Sequence, residues 1–246
     1  MKQESELRGM KGREKIAMLT VYDFPGALML RGSGLDMALV GDSLAEVVYG
    51  YPNTTHADMD LMLRHVEAVR RGLGDEIHLL GDMPFRSCEE PQQALANAKR
   101  MIDAGAQSVK MENPTPAVVE RVVREGIPVF GHVGLTPQTI HEYKKQGKDP
   151  VSAARILSEA HAQEKAGCFG LVVEAIPESL AGEIADALSI PVIGIAAGGH
   201  CDGQVLVFHD VFGFYARDRS YAPKLSRVFE SVHTAAAAFV RQVKTP

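Results

Sequence analysis

Four acidic side chains stand where apolar runs end. Asp42 closes MALVGD, Asp82 closes IHLLGD, Glu112 closes SVKME and Glu174 closes GLVVE. An uninterrupted apolar run that stops at a carboxylate is how a strand buried on both faces opens into a loop. Asp42, Asp82 and Glu112 are hard oxygen donors, and like charges held together in a partly buried site raise one another's free energy. A divalent cation relieves that repulsion, and an all-oxygen set favours Mg²⁺ or a similar ion over zinc. Each acid taken singly could instead cap the helix that follows it or pair with a nearby lysine.

Lys110 precedes Glu112 by two residues, so on a strand the two point to one side. A cation beside the acids suits an anionic substrate such as a carboxylate. A structural ion pair or a Schiff-base lysine are the other readings of that residue. Glu174 follows Leu171, Val172 and Val173, and a carboxylate in apolar surroundings can serve as general base toward a carbon-bound proton. Its alternative is the anion at the start of the helix beginning near Pro177. His132 in FGHVGLTPQT can donate a hydrogen bond inside a pocket, although a strand-end histidine is more often structural. The segment GIAAGGHCDGQ has the look of a phosphate-cradling loop but matches neither the dinucleotide fingerprint nor the P-loop.

These residues need strands to carry them. Candidate strands are Ile16–Val21, a run from Met37, Ile77–Leu80, Ser108–Met111, Pro128–Phe130, Leu171–Val173, Pro191–Ile195 and Val205–Phe208. Helical patterns separate them, at about 25–31, 61–71, 91–104, 117–125, 151–166 and 179–188, with one or two more after Pro223. Eight alternating strands and helices with no change of composition predict a single (β/α)8 TIM barrel over residues 1–246, with a doubly wound open sheet as the alternative. In a barrel the loops after the strands build the active site, and Asp23, Asp42, Ser43, Asp82, Glu112, His132, Glu174 and His209 all fall at such ends.

The 246 residues are 46% hydrophobic with a formal charge of −5, an ordinary globular profile with no electrostatic footprint for nucleic acid. No basic tract suggests a membrane surface, and no apolar run suits a signal core or a membrane span. Cys88, Cys168 and Cys201 are far apart with no CxxC pair, which leads to the expectation of a reducing cytoplasm without disulfides or structural zinc.

The long motifs LVGDSL, HVEAVRRG, DMPF, VKME, GHVGLTPQ, IPVIGI and DGQVLVFHD, in that order, resemble those of the ketopantoate hydroxymethyltransferase family. The similarity runs from MLTVYD at Met18 to HDVFG at His209. It implies a barrel of the phosphoenolpyruvate mutase-like group. By that resemblance Asp42, Asp82 and Glu112 hold Mg²⁺, Ser43 and Lys110 contact the 2-oxo acid, and Glu174 accepts the proton. The implied reaction carries a one-carbon unit from 5,10-methylenetetrahydrofolate to 3-methyl-2-oxobutanoate through a Mg-stabilised enolate, giving 2-dehydropantoate on the route to pantothenate. A homo-oligomer, decameric in the family, is implied as well. The chain departs from the family's pattern at Ala45 and Glu46, at Thr55 to Asp58, at His141 and Glu142, and at Ala196, where the family has glycine. Those differences leave two alternatives: a paralogue doing aldol or C–C lyase chemistry on another 2-oxo acid, and a non-catalytic barrel with a binding or assembly role.

Overall fold

The computed structural model describes residues 1–140, 142–216 and 220–245, so His141 of the altered loop lies outside the described residues. Eight parallel strands close in sequence order: β1 (Ile16–Thr20), β2 (Met37–Val40), β3 (His78–Asp82), β4 (Ser108–Lys110), β5 (Val129–Gly134), β6 (Gly170–Glu174), β7 (Val192–Ile195) and β8 (Gly203–Leu206). Closure removes every sheet edge and decides between the two architectures the sequence allowed, in favour of the barrel.

Around the strands run α1 (Glu4–Met10), α2 (Phe24–Leu30), α3 (Leu44–Val47), α4 (Met59–Leu73), α5 (Pro91–Asp103), α6 (Pro116–Val123), α7 (Pro150–Ala166) and α8 (Glu178–Ala187). Their starts are written in the sequence. Proline occupies the first turn of α2, α5, α6 and α7, where its missing N–H has no helical partner to lose. Asp23, Asp58 and Asp149 accept from the first-turn amides of α2, α4 and α7. Asp23 is therefore a helix cap.

Alternate residues on the strands point into the barrel. Met18, Met37, Leu39, Leu80, Phe130, Val172, Ile193 and Val205 fill its middle, and Leu7 and Met10 of α1 join the same cluster. One step further along the inward-facing positions stand Asp82, Lys110, His132 and Glu174. In register Asp82 lies opposite Lys110 and Glu174 opposite Gly134. The interior is thus apolar in the middle and ionisable at the C-terminal ends of the strands.

The chain divides into two compact units, Met1–Val205 and Leu206–Pro246. In the second, α9 (Phe208–Val211) packs Phe208 against Phe212 at 4.6 Å between ring centres, and α10 (Val228–Lys244) has no buried residue. Strand β8 ends at Leu206, earlier than the expected Phe208, which places His209 on a helix and not at a strand end. No helix among the described residues is long and apolar enough to cross a membrane.

Candidate active site

Buried side chains gather at the mouth of the first unit. Asp82 and Lys110 form a contact in which the ammonium nitrogen lies 2.8 and 2.9 Å from the two carboxylate oxygens. Burial alone would push a proton off this lysine. The charges of Asp82, Asp42 and Glu112 outweigh it and hold Lys110 above the usual lysine range. Lys110 is thus a cation already paired with an acid, one of the arrangements its sequence position left open.

Asp42 sits at the end of β2 and its own amide donates to Asp82 Oδ2 at 3.2 Å. Burial and then the negative charge of Asp82 push the Asp42 carboxyl up to about 7. Glu112 is raised well above the normal carboxylate range by burial and by Asp42. Fully ionised, three buried carboxylates would face one ammonium, and with burial that mutual repulsion is what raises Asp42 and Glu112.

Gln138 moderates that repulsion. Its side-chain amide donates to Asp42 Oδ2 at 2.8 Å and to the Met83 carbonyl at 3.1 Å, while its backbone N–H donates to Glu112 Oε1 at 2.9 Å. Nothing in the spacing of the sequence singles out Gln138. It lies in the quoted motif GHVGLTPQ, but an amide that supports carboxylates from a loop has no periodicity to reveal it.

His132 stands within β5, two residues beyond the strand end expected at Phe130. Its backbone is gripped by Gln163, whose Oε1 accepts from the His132 N–H at 3.0 Å and whose Nε2 donates to the His132 carbonyl at 3.3 Å. The ring lies between two carboxylates, Nδ1 at 3.7 Å from Glu112 and Nε2 at 3.4 Å from Glu174. Neither ring nitrogen makes a hydrogen bond of good geometry. Burial, reinforced by the Lys110 charge, lowers the affinity of His132 for a second proton. A buried imidazole held between two carboxylates without a well-aligned hydrogen bond can donate to a polar group that enters the site.

Glu174, at the end of β6, keeps its side chain 20% exposed, so it alone of the inward acids reaches toward solvent. Gly134 on the neighbouring strand allows the two backbones to approach closely here. With φ of +101°, a Cβ there would stand 2.4 Å from the Glu174 carbonyl oxygen. Ala175, the next residue, takes φ of +48°, and Asn113, after Glu112, takes +42°. Both are non-glycine residues in the left-handed region, turning the chain sharply just past a site acid.

Ser43 Oγ lies 2.9 Å from the Tyr22 hydroxyl. The structure therefore brings together Asp42, Asp82, Lys110, Glu112, His132 and Glu174, with Ser43 beside Asp42. The segment 196–204 follows β7, and Gly199 within it donates to the Glu178 carboxylate at 2.9 Å.

In charge and donor type, Asp42, Asp82 and Glu112 suit a hard dication. As they stand, no three His, Cys, Asp or Glu side chains among the described residues are drawn together to chelate an ion, because Lys110 and Gln138 hold the carboxylates. Glu46 does not add to this set. Its carboxylate accepts from the Tyr143 hydroxyl at 3.1 Å.

A family model described as ketopantoate hydroxymethyltransferase matches residues 2–246. Among similar curated proteins, the 3-methyl-2-oxobutanoate hydroxymethyltransferase of Pyrobaculum neutrophilum is 43% identical over 99% of this chain and 95% of its own length. That of Syntrophotalea carbinolica is 45% identical over 96% of this chain and 89% of its own length. Solved structures that share the fold include a putative phosphonomutase from Burkholderia cenocepacia, with a TM-score of 0.68 at 15% identity, covering 98% of this chain and 100% of the other. A 2,3-dimethylmalate lyase of the PEP mutase/isocitrate lyase superfamily aligns with a TM-score of 0.63 at 12% identity, over 100% of this chain and 89% of the other.

Proposed function

The chain belongs to the ketopantoate hydroxymethyltransferase family, and from that membership and the geometry at the barrel mouth we propose how its residues divide the work. The protein is a one-carbon transferase, acting on 3-methyl-2-oxobutanoate to give 2-dehydropantoate. The one-carbon donor in our reading is 5,10-methylenetetrahydrofolate. The C3–H bond of the 2-oxo acid breaks and its proton passes to the Glu174 carboxylate. The donor's methylene carbon, at the oxidation level of formaldehyde, loses its bonds to both folate nitrogens as it gains a hydroxyl from water and a bond to C3. The second water proton and the proton held by Glu174 go to those nitrogens, and tetrahydrofolate leaves.

The observation that carries this reading is the partly exposed Glu174 facing the unsatisfied ring of His132 across 3.4 Å. A general base must reach its proton, and of the inward carboxylates Glu174 has that access. Lys110 and the Ser43 hydroxyl bind the substrate carboxylate, the first by charge and the second by a hydrogen bond. Neutral His132, its ring set between Glu112 and Glu174, donates to an oxygen of the substrate. Asp42, Asp82 and Glu112 would hold Mg²⁺, and their mutual repulsion and oxygen donors support that assignment. Bound there, the ion would supply Lewis acidity toward the keto acid's oxygens. Gln138 fixes the acids in place. Free Cys88, Cys168 and Cys201 suit a cytoplasmic setting, and exposed apolar side chains such as Met29, Leu225 and Phe239 suit a homo-oligomer.

The test combines 3-methyl-2-oxobutanoate, 5,10-methylenetetrahydrofolate and Mg²⁺, with mass spectrometry of the product. We expect Glu174→Gln to lower turnover by about 10²–10⁴-fold, and chelation of divalent ions to abolish it reversibly. Deuterium entry at C3 of the 2-oxo acid, measured in heavy water, should fall in parallel with turnover for Glu174→Gln. Exchange without product in the wild type would mean that the enolising machinery is right and the one-carbon donor is wrong.

A further inference from the structure

Beside the catalytic mouth lies an aromatic surface that the proposed chemistry leaves unused. After β2 the chain forms α3 and then exposes Tyr49 and Tyr51, at 46% and 45%. Tyr51 stacks on His56 with ring centres 4.7 Å apart and planes 7° from parallel. Tyr49 lies nearly parallel to Tyr51, with 6.3 Å between centres and 18° between planes, and meets the edge of His65 at 5.7 Å. Three rings thus present a shelf to solvent. Leaving that much amphipathic aromatic surface in water forgoes burial that such side chains normally find in a core or on a partner.

The shelf is wired to the active site. His65 Nδ1 donates to the Tyr22 carbonyl, so its Nε2 is the acceptor and the Tyr49 hydroxyl donates to it at 3.0 Å. Tyr22 in turn reaches Ser43 through its own hydroxyl at 2.9 Å. On the same segment Glu46 receives the hydroxyl of Tyr143, which comes from the loop after β5 and lies within electrostatic reach of Glu174 and Asp42. The shelf, the Glu46 carboxylate and the catalytic base therefore share one rim of the barrel.

We propose that this rim is the pterin subsite of the reduced-folate co-substrate, with the pterin ring stacked on the Tyr49–Tyr51–His56 shelf and its 2-amino and N3–H edge donating to Glu46. This assignment rests on the folate reading above and deepens it. The chemistry is specific to that occupant. A flat heteroaromatic ring takes the faces of the tyrosines, and a carboxylate, with acceptor sites on both oxygens, matches two parallel N–H donors. Lys144, Lys145 and Lys148, exposed on the loop that carries Tyr143, suit the acidic glutamyl tail. An aliphatic 2-oxo acid offers the shelf nothing to stack. Glu46 and Tyr143 then act as binding groups for the co-substrate, and Glu46 ceases to be a reason to expect a different 2-oxo acid.

The test is calorimetric titration of the whole protein with 5-formyltetrahydrofolate, a stable reduced folate. We expect Tyr51→Ala and Glu46→Gln each to raise its dissociation constant at least tenfold, while Tyr51→Phe, which keeps the ring face, stays within threefold of wild type. In the same variants the ratio of folate-dependent turnover to deuterium exchange at C3 of 3-methyl-2-oxobutanoate should fall at least tenfold. Equal folate affinity in wild type and variants would overturn the subsite while leaving the function intact. A drop in assembly mass of Tyr51→Ala by ultracentrifugation, with folate affinity unchanged, would likewise overturn it and make the shelf a subunit contact. A wild type that exchanges deuterium but binds no reduced folate would remove the folate reading itself, and the subsite with it.

Discussion

Ala196 is held at φ of +52°, a conformation that crowds its Cβ against the backbone. It sits just past β7, in GIAAG. Left-handed geometry costs an L-residue roughly 1–2 kcal/mol, and the extra freedom of glycine in the unfolded chain takes back about 0.5–1. We therefore expect Ala196→Gly to stabilise the protein by up to about 1 kcal/mol, seen as a rise of a few degrees in melting temperature. No change, or a fall, would mean that neighbouring groups and not Ala196 hold that turn. Asn113 and Ala175 adopt the same region beside Glu112 and Glu174. The two acids aim inward because the chain turns away behind them, and neither turn follows from residue type, since asparagine and alanine carry no obligation to be left-handed.

Helix α1 is the element that the sequence disguised. Its ESELRGM is polar enough to pass for a solvated leader, yet Leu7 and Met10 are 1% and 6% exposed and belong to the barrel's central cluster. The helix covers the end of the barrel opposite the active site. Lys2 pairs with Asp36, and the Lys2 carbonyl accepts from His78 at 3.1 Å. We expect Leu7→Ala to cost about 2–4 kcal/mol, the loss of a fully buried leucine in a core that relaxes only partly. Urea unfolding should show an earlier midpoint at unchanged slope, with turnover per folded molecule preserved because the substitution lies at the far end of the barrel. A cost below about 1 kcal/mol would mean that α1 frays and contributes little. The short α3, in LAEV, lies outside the helices that the periodicity predicts, and its consequence is larger, since it sets Glu46 and the tyrosines at the rim.

For the molecule as a whole, the two ends of the barrel respond to acid in opposite ways. His78, bonded to the Lys2 carbonyl and to Ser108 Oγ at 2.7 Å, is forced down to about 4, mainly by burial. An unfolded histidine takes its proton near pH 6.5. Between those values the unfolded chain binds the proton and the folded one does not, so the contribution of His78 is fully present above 6.5 and disappears as pH falls toward 4. The full loss is about 3 kcal/mol. Asp42 works in reverse: its raised value lets the folded state take up a proton below about 7, before the unfolded chain does. Wild type compared with His78→Gln cancels the Asp42 contribution. The difference in unfolding free energy should shift by about 3 kcal/mol between pH 7 and pH 4, and parallel curves would refute the assignment. Local pattern alone carries the order of strands and helices, the strand-end placement of Asp42, Asp82, Glu112 and Glu174, and the caps and prolines that start the helices. Those features depend on local periodicity and on residues a few positions apart. Closure of the eight strands, the Lys110–Asp82 pair, the grip of Gln138 and Gln163, the left-handed turns and the tyrosine shelf were decided only in three dimensions. Each joins groups separated by many residues, and such a contact leaves no trace in spacing or composition.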